Sequence, residues 1–111
     1  MTNERWLRWA VAKHFRDRGL LVNMRPVKVG NAAIDGEVVG RGWKMALEIK
    51  SGKDDIIRGI GQCTEALAKG YRSAAVVTSV QRAKRIRPEV FNEHLVLLGV
   101  DAKGHVRQVY P

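Results

Sequence analysis

The sequence predicts an α/β domain in which a mixed central sheet is flanked by helices. Two stretches with helical spacing of apolar residues alternate with short, apolar, strand-like segments. The second helical stretch stands between two apolar segments, and a right-handed crossover through it makes those two strands parallel. A chain of 111 residues with 45% hydrophobic residues can bury one real core, so we expect a single domain over residues 1–111.

The first helix is expected over residues 3–18. Apolar residues recur there at helical spacing, and basic residues occupy the remaining surface. Asn3 or Thr2 is suited to cap the first turn, because a short polar side chain can accept a hydrogen bond from a free backbone N–H. Gly19 is suited to end the helix.

Short apolar segments after this helix predict the first strands. A strand is expected over residues 20–24 and a loop over residues 27–31. Residues 33–39 and 43–50 both read as strands, and the glycine-containing residues 40–42 lie between them. We therefore expect these two strands to form a hairpin.

The second half of the chain predicts a helix and further strands. Asp54 is suited to cap a helix over residues 55–69, which Gly70 closes. Residues 72–79 read as a buried strand. Residues 82–87 are expected to form a basic segment, and residues 88–94 a short helical stretch. An apolar strand is expected over residues 95–100, a turn over residues 101–104 and an edge strand over residues 105–109.

The charge balance predicts a polyanionic partner. The sequence has 20 Lys and Arg against 11 Asp and Glu, a formal net charge of +9 and a pI near 10.3. Such a field concentrates phosphate groups around the protein. It also excludes the acidic, solvating kind of disorder.

Other features of the composition restrict the class of protein. A single cysteine, Cys63, excludes an intramolecular disulfide framework and an all-cysteine zinc site. No apolar run approaches the roughly 18 residues of a membrane span, and the first residues lack the apolar core of a signal peptide. We therefore expect an intracellular, cytoplasmic protein that has no membrane partner.

Two short motifs carry the candidate chemistry: Ile34-Asp35 and, after twelve intervening residues, Glu48-Ile49-Lys50. Side chains at positions i and i+2 of a strand share a face, so Glu48 and Lys50 point the same way, and Asp35 can lie beside Glu48. Carboxylates ligate a hard divalent cation, a lysine orients a water, and a strand carbonyl such as that of Ile49 is a usual extra ligand. Hydrolysis of a phosphodiester requires such groups.

This pattern resembles the PD-(D/E)xK nuclease superfamily, with isoleucine in the place of the proline in its name. The element order α-β-β-β-α-β over roughly residues 3–80 is similar to the restriction-endonuclease-like core, most like that of archaeal-type Holliday junction resolvases. The resemblance implies a Mg²⁺-dependent endodeoxyribonuclease, with Mn²⁺ as a substitute, that leaves a 5′-phosphate and a 3′-hydroxyl. Asp35 and Glu48 would hold the metal, and Lys50 would position the attacking hydroxide. Such resolvases act as homodimers in DNA recombination and repair.

Two further positions fit the resemblance. Glu4 lies in the first turn of the first helix, where the resolvase branch carries an acidic residue that completes the metal site. Gln62 lies in the second helix, where several branches place a glutamine that steadies the site or touches a backbone phosphate. Structural alternatives stay open, because Glu4 also suits the helix dipole and Gln62 can be a plain surface residue.

Basic residues in several parts of the chain are candidate contacts to DNA phosphates. The alternative is that they form a merely solvated surface. These nucleic-acid-binding candidates are Arg5, Arg8, Lys53, Arg58, Arg82, Lys84, Arg85 and Arg87.

Other functions also stay open. The same fold and basic surface suit a non-catalytic nucleic-acid-binding module, and the same site suits a nicking or restriction-like nuclease. For Glu48 and Lys50 the structural alternative is a solvated ion pair, and for Asp35 it is a turn residue before Gly36. The complete set of three residues favours catalysis, because a degenerate site is expected to have lost at least one of them.

Overall fold

The structure is a computed structural model that describes residues 3–111. Thr2, one of the two predicted helix caps, lies outside the described residues. The helices are α1 (Glu4–Arg16), α2 (Ile56–Ala68) and the short α3 (Val80–Ala83), with a 3₁₀ turn at Pro88–Val90. The strands are β1 (Leu21–Asn23), β2 (Val27–Val29), β3 (Ala32–Ile34), β4 (Gly36–Gly40), β5 (Trp43–Ile49), β6 (Ser73–Ser79), β7 (Leu95–Val100) and β8 (Val106–Tyr110).

The main sheet is mixed and has six strands in the order β1-β4-β5-β6-β7-β8. The three central strands β5, β6 and β7 are parallel, and the outer pairings are antiparallel. Strands β2 and β3 form a separate two-stranded hairpin. The predicted fold class, a mixed sheet flanked by helices, is confirmed and is consistent with a restriction-endonuclease-like core.

Strand alternation divides the buried side chains between the two faces of the sheet. One face packs against α1, and its core includes Leu7, Val11, Leu47, Ile49 and Val77. The other face packs against α2, and its core includes Ala46, Cys63, Ala66, Val76 and Leu97. Each helix therefore buries its apolar stripe against a different side of the same strands.

The caps of the two long helices agree only in part with the sequence. The Asn3 side chain accepts a hydrogen bond from the backbone N–H of Trp6 at 2.9 Å, as predicted. The cap of α2 is Asp55, whose carboxylate accepts from two backbone N–H groups of the first turn. The prediction of Asp54 was wrong by one residue, because its side chain instead accepts from the backbone N–H of Ser51 at 3.0 Å and closes the preceding loop.

The segment before the site differs most from the prediction. The loop predicted over residues 27–31 is wrong: Val27–Val29 pairs with Ala32–Ile34 across a tight turn in which Gly30 has a φ of 59°. The strand predicted over residues 33–39 is split at Asp35, and its two halves join different sheets. Residue type along a strand does not specify the partner strand, so the sequence could not reveal the change of partner at Asp35.

The C-terminal part keeps its strands and loses most of its predicted helix. Strand β6 begins one residue later than predicted, β7 matches its predicted range, and β8 forms an edge of the sheet. The helical stretch expected over residues 88–94 is reduced to the 3₁₀ turn, and the unpredicted α3 directly follows β6. Within residues 3–111, no helix has both the length and the apolar content needed to cross a membrane.

Candidate active site

Asp35 occupies the single residue between β3 and β4, where the chain passes from one sheet to the other. Its backbone N–H donates to the carbonyl of Leu47 at 3.0 Å. Its carboxylate oxygen Oδ2 accepts a hydrogen bond from the backbone N–H of Ile49 at 2.7 Å. The antiparallel register, with Gly36 opposite Leu47, therefore places Asp35 beside Glu48.

Glu48 is buried on the face of the sheet that α2 covers, with 1% of the residue exposed. One carboxylate oxygen, Oε2, lies 3.6 Å from the ammonium of Lys50. The other, Oε1, is buried and has no hydrogen-bond partner among the described residues. A buried carboxylate oxygen without a partner is costly, so this position favours an additional cation or donor.

The pKa of Glu48 is raised from 4.5 to about 7. Burial is the largest cause, and the nearby charge of Asp35 acts in the same direction. The charge of Lys50 lowers the pKa but does not offset the other two effects. At Glu48, burial and repulsion from Asp35 therefore outweigh the attraction of Lys50.

Lys50 follows the last residue of β5, and its backbone N–H donates to the carbonyl of Val77 on the neighbouring strand at 2.9 Å. Its side chain lies against α2 at Gly59. A Cβ atom at Gly59 would lie 2.9 Å from Lys50 Cε and 3.3 Å from Lys50 Cγ. Gly59 therefore makes room for the lysine, a role that the sequence analysis missed because only the packing of α2 on β5 reveals it.

Gln62 and Cys63 lie on α2 near this site. The Gln62 side-chain amide donates to the carbonyl of Ala33 at 2.8 Å, which links α2 to the strand that leads into Asp35. Its oxygen Oε1 is buried without a hydrogen-bond partner among the described residues. Burial raises the pKa of the Cys63 thiol, and the charge of Glu48 raises it further. Gln62 is thus placed to steady the site, whereas Cys63 is an inert core residue.

Thr78 is a second residue that the sequence analysis missed. It is 1% exposed, and its hydroxyl has no hydrogen-bond partner in the part of the chain that the structure describes. Strand alternation puts its side chain on the same face as Val76, which is the face that carries Glu48. A single threonine inside an apolar strand gives no sequence signal of such a position.

Glu4 does not join Asp35 and Glu48 directly. Its carboxylate pairs with Arg8, one turn further along α1, at 3.0 Å, and Arg8 in turn approaches the Asp35 carboxylate at 3.4 Å. Residues 3–111 contain no group of three or more His, Cys, Asp or Glu side chains placed to hold a metal. The predicted ligand set therefore reduces to Asp35 and Glu48, with the Ile49 carbonyl at the end of β5 as the third predicted donor.

These donors fit a hard divalent cation. Carboxylate and carbonyl oxygens are the ligands that Mg²⁺ and Mn²⁺ take in proteins, and Mg²⁺ is usually held by only one or two carboxylates. The unpartnered Oε1 of Glu48 is available as a ligand, and a cation beside this carboxylate would lower its raised pKa.

The predicted DNA-binding residues fall into two groups. Arg8 and Arg82 are half-buried and already bind protein groups; Arg82 donates to the backbone carbonyls of Ser51 and Asp54 in the loop after β5. The other members are exposed: Arg5, Lys53, Arg58, Lys84, Arg85 and Arg87. A groove of about 540 Å³ opens next to the same loop and is lined in part by Gly52, Arg82 and Arg85.

Neither a protein-family model nor a curated protein matches the sequence. Among solved structures, a protein of unknown function from Silicibacter pomeroyi is similar, with a TM-score of 0.71 and 19% identity, over 100% of this chain and 73% of that chain. An XisH family protein from Nostoc punctiforme is similar with a TM-score of 0.60 and 15% identity, over 93% of this chain and 97% of that chain. At these identities the similarity shows a shared fold.

Proposed function

We propose that this protein is a metal-dependent DNA endonuclease that hydrolyses phosphodiester bonds. The observation that carries the proposal is the meeting of Asp35, Glu48 and Lys50 at the end of β5. Within that group, one buried oxygen of Glu48 lacks a hydrogen-bond partner among the described residues. A protein with no use for these groups would lose stability by burying them together.

Asp35, Glu48 and the carbonyl of Ile49 would hold Mg²⁺, with Mn²⁺ as a substitute. When bound, the ion supplies Lewis acidity, which offsets charge on the scissile phosphate and makes a water more acidic. The chain itself orients the donors, because the Ile49 amide fixes Asp35 and the sheet fixes Glu48. Lys50, held at Glu48 by its ion pair, would donate a hydrogen bond from Nζ to the attacking water and position it.

DNA as the substrate is supported by charge and by shape. The net charge of +9 attracts a polyanion. Three exposed cations lie near the loop that follows β5: Lys53 is in the loop, Arg58 is in the first turn of α2, and Arg85 lines the groove beside the loop. These cations would contact the phosphates of bound DNA.

The finer proposal is that the protein resolves branched DNA as a homodimer, as a Holliday junction resolvase does. It rests on the resemblance to the archaeal-type resolvases in the motif Ile34-Asp35 and Glu48-Ile49-Lys50. A two-fold dimer would place two such sites on one junction, so that each subunit could cut one strand.

Cleavage of supercoiled plasmid and of a synthetic four-way junction tests the proposal. We expect cutting with Mg²⁺ or Mn²⁺, none in excess EDTA, and DNA binding with little cutting in Ca²⁺. Asp35→Asn should abolish cleavage, while the matched control Asp17→Asn, an exposed aspartate at the end of α1, should cut like the wild type. DNA binding without cleavage under all conditions would support the non-catalytic binding module instead.

A further inference from the structure

Arg8 has more polar contacts than the other arginines of the described chain. Its guanidinium lies 3.0 Å from Glu4 Oε2 through Nε and 3.4 Å from Asp35 Oδ1 through Nη2. Nη1 also donates to the backbone carbonyls of Met24, at 3.3 Å, and of Asp35, at 3.4 Å. A single side chain thus joins α1, the residue that follows β1 and the connection between β3 and β4.

These contacts hold Asp35 on the side opposite to its other hydrogen bond. The Ile49 amide binds Oδ2, while Arg8 approaches both Oδ1 and the backbone carbonyl of the same residue. A guanidinium is planar, and its N–H donors have fixed directions, so it constrains the rotation of a carboxylate more than a lysine does. The orientation of Asp35 is therefore set jointly by β5 and by Arg8.

Glu4 sets the orientation of Arg8 in the same way. It lies four residues before Arg8 on α1, so the two side chains share one face of the helix. Its carboxylate accepts from Nε, the donor on the stem side of the guanidinium, and leaves both terminal nitrogens directed towards Met24 and Asp35. The contacts thus run in one direction, from Glu4 through Arg8 to Asp35.

We infer that Glu4 and Arg8 form a positioning relay for Asp35, in which Glu4 orients Arg8 and Arg8 orients the carboxylate. This inference rests on the proposed function, because it gives Asp35 its role at the metal. It replaces two expectations from the sequence: Glu4 acts through Arg8 and is not a direct ligand, and Arg8 serves Asp35 and is not a DNA contact.

Mn²⁺ binding to the full chain, measured by calorimetry without DNA, tests the relay. Arg8→Ala and Glu4→Ala should each weaken Mn²⁺ binding by about 10-fold, the size of effect that partners of ligands usually have. Loss of the positive charge of Arg8 alone would strengthen cation binding, so weaker binding reports a lost orientation. Tighter or unchanged Mn²⁺ binding by Arg8→Ala overturns the relay.

The double variant and a conservative variant separate a relay from a ligand. If Glu4 acts only through Arg8, the double alanine variant should bind Mn²⁺ no more weakly than Arg8→Ala alone. Glu4→Gln should bind nearly as the wild type does, because an amide oxygen still accepts from Arg8 Nε. Multiplied losses in the double variant, or a full loss in Glu4→Gln, would identify Glu4 as a direct ligand and overturn the relay.

Salt dependence of DNA binding in Ca²⁺ gives a second readout, with Arg5 as the matched control. Arg5 lies on the same helix, is exposed, and has no side-chain hydrogen bond or ion pair within residues 3–111. Arg5→Ala should make the slope of log K against log[salt] shallower by up to about 0.9, and Arg8→Ala should leave it unchanged. A shallower slope with unchanged Mn²⁺ affinity in Arg8→Ala would make Arg8 a phosphate contact and overturn the relay.

Thermal unfolding shows whether each variant is folded. Glu4 is half exposed, so Glu4→Ala is expected to fold and keeps the test decisive even if Arg8→Ala does not. A wild type that neither binds Mn²⁺ nor cleaves DNA would overturn the proposed function, and the relay with it. A wild type that does both, with Arg8→Ala and Glu4→Ala indistinguishable from it, would overturn the relay alone.

Discussion

The two faces of the central sheet differ in the polarity of the side chains that they bury. The core between the sheet and α1 consists of apolar side chains, such as Leu7, Val11 and Leu47. The core between the sheet and α2 is also apolar over most of its area, yet it contains the buried carboxylate of Glu48. All three buried side-chain atoms without a hydrogen-bond partner in the described chain belong to this second side: those of Glu48, Gln62 and Thr78.

The α2 face therefore contains the polar atoms whose burial lowers stability. Each buried polar atom without a partner costs about 1–3 kcal/mol, and an apolar residue at the same position would avoid that cost. Such local conflicts with good packing are expected at functional sites. The unpartnered buried polar atoms lie on the α2 face, and α1 reaches the candidate site through Arg8.

The largest expected effect is the loss of turnover in Lys50→Ala. We expect kcat for DNA cleavage to fall about 100-fold or more, with DNA affinity within a few fold, because Lys50 acts at the reacting water. Lys44→Ala is the matched control. Lys44 lies an even number of residues from Lys50, so it shares the same face of the sheet, but it lies over the Tyr71 ring at the other end of β5. Equal rates of DNA cleavage by Lys50→Ala and the wild type would contradict a role of Lys50 at the attacking water, and with it the assignment of the chemistry to the α2 face.

A substitution on the α1 face should affect stability alone. Leu47 is fully buried there, and Leu47→Ala should lower the free energy of unfolding by about 2–5 kcal/mol. Urea unfolding measures this loss, which should not depend on pH between 5 and 8. A loss below about 1 kcal/mol would contradict the tight packing of Leu47 on the α1 face.

Glu48→Gln should raise stability on the other face. In the wild type, the pKa of Glu48 is about 7 in the folded state and near its ordinary value when unfolded. The folded protein therefore binds more protons than the unfolded chain between about pH 4.5 and 7. Its stability falls as pH rises through this range, by on the order of 3 kcal/mol.

The variant lacks this titration, so its unfolding free energy should exceed that of the wild type at pH 8, and the gain should vanish near pH 4.5. Mn²⁺ should stabilise the wild type at pH 8 and leave Glu48→Gln unchanged. A variant that is less stable than the wild type at pH 8 would contradict the assignment of a strained carboxylate.

Gly59→Ala should lower activity without lowering stability. A Cβ atom at Gly59 would displace the flexible end of Lys50, so we expect kcat to fall about 10-fold, as for a small misplacement of a reacting group. Alanine also favours the helix by about 0.5–1 kcal/mol relative to glycine. Gly61→Ala, in the same helix with open space at its Cβ, should gain that stability and keep full activity; a loss there too would point to α2 as a whole.

The smallest effect is expected from Arg85→Ala. Arg85 is exposed and lines the groove beside the loop that follows β5, so its loss should make the salt slope of DNA binding shallower by up to about 0.9. Stability should change by no more than about 0.5 kcal/mol. Arg41→Ala, in the turn between β4 and β5, is the control. An identical slope in Arg85→Ala and the wild type would place the DNA path away from this groove.

The sequence by itself determined the features that depend on local periodicity. Alternation along β5 is sufficient to put Glu48 and Lys50 on one face. The apolar stripe of residues 3–18 and the cap at Asn3 are likewise local, and α1 forms there. The apolar runs predicted a buried strand over residues 72–79 and an apolar strand over residues 95–100, and β6 and β7 form there as buried strands with neighbours on both sides.

Only the tertiary structure decided which distant groups meet. The contact of Gly59 with Lys50 and the approach of Arg8 to Asp35 each join different elements of the fold. The break at Asp35 depends on which strands pair on either side of it. Periodicities of 2 and 3.6 residues report which face a side chain takes, and they carry no information about what packs on that face. The sequence could therefore name the three residues of the candidate site, whereas packing alone established how Asp35 and Lys50 are held.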